Sequence, residues 1–154
     1  MRKTLSILLT LCLFCGLLIG VSNRVLAAEE PECIDGSYLT DDESSEVTVG
    51  PLTRGVYLKS GSSSIVKQGT GKIAAGGNTI GQTVVSKISV GVIVERLVNG
   101  RWQAYTSWTA TKYDSAVVST SKVLTVPTGY YYRTCCNHYA NSDSSGSYTD
   151  GIYI

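Results

Sequence analysis

The sequence predicts an all-β protein, an antiparallel β-sandwich of about six or seven strands. Three observations carry that expectation. After an N-terminal apolar run, no stretch places apolar residues at helical spacing over three turns. Val84 to Leu97 alternates, with Ile88, Val90, Val92 and Val94 on one face and Lys87, Ser89, Gly91, Ile93 and Glu95 on the other. Turn signals recur at the spacing of a sandwich: Gly76-Gly77-Asn78, Asn99-Gly100, Pro127-Thr128-Gly129 and Asn141 to Gly146.

Taken in order, residues 1–27 read as a signal peptide. Arg2 and Lys3 give a positive start, Leu5 to Val21 is apolar, and Val25-Leu26-Ala27-Ala28 offers small residues for cleavage. The apolar run falls short of the roughly 20 residues of an untilted bilayer span, so no membrane span is expected after cleavage. Residues 28–53 are rich in Glu, Asp, Ser and Thr and read as a disordered acidic linker. The domain is expected over 54–154. Ser64 to Ala74 supplies one or two strands, and Gly76-Gly77-Asn78 the turn after them. Val84 to Leu97 is a strand with one strongly apolar side. Asn99-Gly100 is a hairpin signal because both residues tolerate positive φ. Arg101 to Trp108 returns, Ser115 to Val126 is a β-branched run, and Pro127-Thr128-Gly129 turns it. Tyr130 to Tyr139 and Tyr148 to Ile154 are the last strands, with a loop over Asn141 to Gly146.

Charge divides the chain. The 13 basic and 12 acidic residues give +1, and loss of Arg2, Lys3 and Arg24 leaves ten basic residues against 12 acids, a net charge of −2. Such a balance gives no pull toward nucleic acid or anionic lipid. Eight acids from Glu29 to Glu46 stand with no Lys or Arg among them, ahead of a basic remainder. Such a run is either a solvated tail or an arm lying on its own domain or binding cations, and it lacks the spacing of a Ca²⁺ loop.

Cys33, Cys135 and Cys136 remain after cleavage. An exported setting permits disulfides, and three cysteines allow at most one bridge within the chain. Adjacent cysteines on a strand point to opposite faces, so the candidate disulfide is Cys33 with Cys135 or Cys136.

No catalytic or metal-binding constellation emerges. His138 is the single histidine and shares a strand face with Cys136, but a nucleophile pair needs an orienting third group and an oxyanion site. Cys135, Cys136 and His138 cannot converge on tetrahedral zinc. Nothing pairs Glu95, Asp114, Asp143 and Asp150 as glycosidase carboxylates. Gly69-Thr70-Gly71-Lys72 lacks phosphate-loop spacing. The aromatics say more: ten Tyr and two Trp stand against one Phe, Phe14, in the leader. Tyr and Trp combine an apolar body with a polar tip and suit contact surfaces. Trp102 reads as core. Trp108, Tyr113, Tyr139 and Tyr148, at expected strand ends and loops, are the candidate ligand-binding residues.

The segment Val94-Glu95-Arg96-Leu97-x-Asn99-Gly100-x-Trp102, then Pro127-x-Gly129, Tyr131-Tyr132-Arg133, His138 and Thr149-Asp150-Gly151-Ile152-x-Ile154, resembles a family of small secreted proteins of Gram-positive bacteria known only as a domain of unknown function. The resemblance covers Arg54 to Ile154 and implies an exported, immunoglobulin-like β-sandwich. It implies no activity. Independently, Gly129-x-Tyr131 matches the corner of such sandwiches, where a tyrosine hydroxyl bonds to nearby backbone. Arg133, if it faces inward, needs a carboxylate or several carbonyls, and Glu95 is the nearest partner by pattern.

The functional expectation is a secreted, non-catalytic module that binds glycan or protein at the cell surface through an aromatic face, without a cofactor. The alternative is a secreted enzyme or toxin. A self-associating surface protein is a third class, which a long unprotected edge strand would signal.

Overall fold

The computed structural model describes residues 31–50 and 55–154. The expected signal peptide lies outside the described residues. Nine strands run in chain order: β1 (Cys33–Ile34), β2 (Ser37–Thr40), β3 (Ser44–Val49), β4 (Leu58–Gly69), β5 (Lys72–Val98), β6 (Arg101–Thr125), β7 (Tyr131–Ala140), β8 (Asp143–Tyr148) and β9 (Gly151–Tyr153). The described residues contain no helix, and therefore none long and apolar enough to cross a membrane.

The spine is the β5–β6 hairpin. It closes at Asn99-Gly100, whose φ values of 51° and 71° are those of the tight turn the sequence announces. The first part of β5 pairs with β4, from Gly81 back to Lys72. The second part pairs with β7 over Ile88 to Arg96. Between them the register with β6 shifts at Ile80/Val85, close to Asp114, which has φ 47°. Such an irregularity lets one long strand pass from one layer to another. The sheet thereby folds back on itself, with order β1-β2-β9-β7-β5-β4-β3, β6 added beside β5 and β8 beside β7. All pairings are antiparallel except the parallel β2–β9 pair. One continuous, mostly antiparallel sheet supplies both layers.

Residues 54–154 hold six strands, β4 to β9, in line with the expected six or seven, and β1 to β3 precede them. Two of the turns fall elsewhere than the sequence suggests. Gly76-Gly77-Asn78 is strand interior, not a turn. A β-carbon on Gly77 would lie 2.5 Å from Cys136 Sγ and 3.0 Å from Val90, so this glycine permits close approach between layers. The actual β4–β5 turn is Gly69-Thr70-Gly71, with φ 128° and 66° at its glycines. The expected loop over Asn141 to Gly146 is a short turn followed by β8, whose Ser145 and Ser147 are buried. The expected disordered linker is corrected as well. Residues 33–49 hold β1, β2 and β3, and compositional polarity misleads because edge pairing with β9 and β4 supplies the order.

Ile88, Val90, Val92 and Val94 are all fully buried, as their alternation requires. They divide between two clusters. Leu58, Val85, Ile88, Val90, Val92, Val118, Cys136 and Ala140 form one, and Ile65, Ile73, Ala75, Val94, Val126, Tyr132, Ile152 and Ile154 the other. Each Val, Leu or Ile among them contributes about 1.5–3 kcal/mol when it leaves water. The tyrosine corner is made by Tyr132 rather than Tyr131: its hydroxyl donates to the Pro127 carbonyl at 2.8 Å.

Candidate functional site

Arg133 organises the outer face of the β7 layer. Its Nε donates to Glu95 Oε2 at 2.7 Å, with the two side chains 9% and 20% exposed. Its Nη1 donates to the Asp35 carbonyl at 3.2 Å and to Ser37 Oγ at 2.9 Å. The guanidinium lies over Trp102 at 4.5 Å and over Tyr148 at 5.6 Å. Glu95 and Arg133 are register partners across β5 and β7. The remaining ligands come from the acidic N-terminal segment, so that segment lies on its own domain. Trp102 Nε1 donates to the Ile34 carbonyl at 3.0 Å, which fixes the other side of the same segment.

This clamp shapes a cleft of about 460 Å³ between β2, β3 and β8. Tyr38, 52% exposed, and Tyr148, 46% exposed, stand in its wall. Half-buried Val47 and Val49 add apolar surface, and Asp150 supplies a carboxylate. The walls are tied together. The Tyr38 amide donates to Asp150 Oδ1 at 3.0 Å, the Asp150 amide to Ser45 Oγ at 3.0 Å, and Ser145 Oγ to the Gly50 carbonyl at 3.1 Å. Asp150 Oδ2 makes no hydrogen bond among the described residues and can accept one from a ligand.

Of the four candidate aromatics, Tyr148 alone lines this cleft. Tyr113 and Tyr139 are 69% and 48% exposed on the same outer face, pairing with Lys87 and Ser89 of β5. Tyr148 is opposite Cys135, about 13 Å along β7 from Tyr139. Trp108 lies apart from the cleft. It sits mid-strand, half-buried against both core clusters, and its Nε1 donates to Thr120 Oγ1 at 3.1 Å. Sequence reasoning misses Tyr38, Val47, Val49 and Asp150 because it reads their segments as linker and strand end. A signal was available in Asp35-Gly36, a two-residue turn with φ 49° and 82° between β1 and β2, and in the Val47/Val49 alternation.

The candidate disulfide of Cys33 with Cys135 or Cys136 is not formed here: all three thiols are free. Hydrogen bonds to Arg133 and Trp102 hold the segment instead. Cys135 Sγ donates to Glu95 Oε2 at 3.3 Å, and burial pushes its thiol up to about 12. Cys136 points into the core toward the Gly76 carbonyl, and burial pushes it to about 12 too. His138 is fully buried between the layers against Gly61, where any β-carbon would overlap its ring. Its Nδ1 pairs with Thr79 Oγ1 and its Nε2 with Ser147 Oγ, each at 2.8 Å. Burial lowers its pKa to about 4. Cys136 and His138 share a face, as expected, but each bonds elsewhere. Among the described residues no group of three or more His, Cys, Asp or Glu converges as a metal site.

A second depression of about 380 Å³ lies on β3–β6. Ser62, Ser64, Asn78, Ser119 and Ser121 line it, with Glu46, and it has no aromatic wall. It offers hydroxyls but no stacking platform.

A model of a family of unknown function, DUF6147, matches residues 26–151. The chain belongs to that family. The DUF6147 match takes in the N-terminal strands as well as the later ones, in keeping with their place in the sheet. No curated protein matches. Among solved structures, the DUF6147 chain is similar to the crystal structure of Spo0M, sporulation control protein, from Bacillus subtilis, at 7% identity and a TM-score of 0.32. That similarity covers 73% of this chain and 50% of the other, so the chain spans about half the length of that protein.

Proposed function

We propose that this DUF6147 chain is an exported, non-catalytic binding module that takes a cell-surface glycan in the Tyr38–Tyr148 cleft. The observation that carries the reading is two half-exposed tyrosines beside a carboxylate, on strands tied to one another by Asp150 and Arg133. A tyrosine face packs against the apolar face of a sugar ring, and a carboxylate oxygen accepts from its hydroxyls. Fixed walls lower the ordering cost of binding. Export is supported by the order of charge, apolar run and small residues in the leader. The immunoglobulin-like reading of the sandwich draws support from the Tyr132 corner. The non-catalytic reading is supported by the orientation of the thiol and imidazole: Cys136 and His138 face the core.

Cosedimentation with purified Gram-positive cell-wall polysaccharide tests the proposal. The wild-type protein should sediment with it, and the Tyr38→Ala/Tyr148→Ala variant should stay in the supernatant with its thermal transition intact. Equal sedimentation of both, or none by the wild type, would overturn the reading. Cys136→Ser should bind within a few-fold of the wild type.

A further inference from the structure

We propose that two copies of this chain pair through the open edge of β6, antiparallel about a two-fold axis at Thr109. Among the described residues β6 is hydrogen-bonded to β5 alone, so one edge of a 25-residue strand has no strand partner. Soluble proteins guard such edges with prolines, charges, bulges or short length. From Trp102 to Thr111 there is neither proline nor charge. The register shift at Val94/Glu95 accommodates Tyr105, but from Thr106 to Lys112 the strand runs in unbroken register along β5. That leaves seven residues of regular strand as a template.

The sequence of the template says what fits it. With the axis at Thr109, Thr109 meets itself, Ser107 meets Thr111 of the second copy, and Trp108 meets Ala110. Ser107, Thr109 and Thr111 are exposed and share one face, so hydroxyls pair with hydroxyls. Trp108 and Ala110 are half-buried on the other face, so a large side chain meets a small one. Lys112 meets Thr106, diagonal to Trp108 of the second copy, where its ammonium can lie near the indole. The two Lys112 residues stay far apart. An axis at Trp108 would set the two indoles against each other, and an axis at Ala110 would leave two alanines opposed. The strand is thus self-complementary in one register, which selects a second copy as the occupant. A two-fold pairing of this kind closes on itself and does not extend into a fibre.

Sedimentation velocity over a concentration series tests this with the full chain. The wild type should show a concentration-dependent dimer. Thr109→Lys puts two ammonium groups opposite each other and should raise the dimer dissociation constant about tenfold or more. Thr109→Glu should do the same with carboxylates. An equimolar mixture of the two variants should restore the dimer as a heterodimer. Thr109 is exposed, so both variants should keep the wild-type thermal transition. A wild type that stays monomeric up to millimolar concentration overturns the proposal. So does a dimer that tolerates Thr109→Lys, because its contact then lies elsewhere. Weakened single variants that the mixture fails to rescue overturn the two-fold register.

Discussion

At the scale of single residues, Arg133 and His138 are the buried polar groups with most at stake. Arg133 is 8% exposed, and its five partner groups come from the N-terminal segment, β5, β6 and β8. Arg133→Met removes one half of a buried pair and leaves Glu95 uncompensated, which should cost about 3–5 kcal/mol. Arg133→Met with Glu95→Leu should recover much of that loss, as urea denaturation would show. Partial recovery is expected, because Ser37 and the Asp35 carbonyl still lose their donor. His138 behaves differently. Its imidazole titrates near 6.5 when unfolded and at about 4 when buried. Between those values the unfolded chain takes up a proton and the folded chain does not. Its contribution is therefore fully present above about pH 6.5 and is lost as pH falls toward 4, by about 3 kcal/mol in all. Denaturation midpoints in His138→Gln should lose that part of the pH dependence. Asp143, whose carboxyl is held below the usual range by the Leu58 and Tyr57 amides, acts at still lower pH.

At the scale of elements, the β5–β6 hairpin shows what sequence carries and what it does not. The Ile88–Val94 face and the Asn99-Gly100 turn are legible because both are local: alternation and positive φ need only neighbours in sequence. The Glu95–Arg133 pairing is legible through the demand a buried guanidinium makes. Gly76 and Gly77 mislead, because their reason lies far off in sequence: Gly76 lies against the Thr120 carbonyl of the neighbouring strand β6, and Gly77 against Cys136 and Val90 across the layers. Gly77→Ala should accordingly destabilise the fold by about 1–3 kcal/mol through overpacking, and Cys136→Ala in the same chain should relieve it. Thermal melts of the single and double variants check this. On β5, Val92→Asp should cost about 4 kcal/mol or more, whereas Ile93→Asp, at a half-buried position on the other face, should cost less. Equal losses would contradict the assigned faces.

At the scale of the whole molecule, the N-terminal strands complete the cleft. They are the least legible part of the sequence, since their contacts are remote: the Tyr38 amide and Asp150 are 112 residues apart. Composition sees eight acids and few large apolar residues, and it cannot see a parallel edge on β9 or the carbonyls that Arg133 requires. The candidate cleft is hidden with them, and of its lining only Tyr148 stands out as a candidate in the sequence. The central claim is that this segment is built into the fold. Native-state hydrogen exchange on Pro31–Ile154 tests it most directly. The amides of Tyr38 and Leu39, bonded to Asp150 Oδ1 and to the Glu32 carbonyl, should be strongly protected. In Arg133→Met they should lose protection before the Ile88–Val94 amides do. Random-coil exchange over residues 33–49 in the wild type, beside a protected β5, would contradict the account.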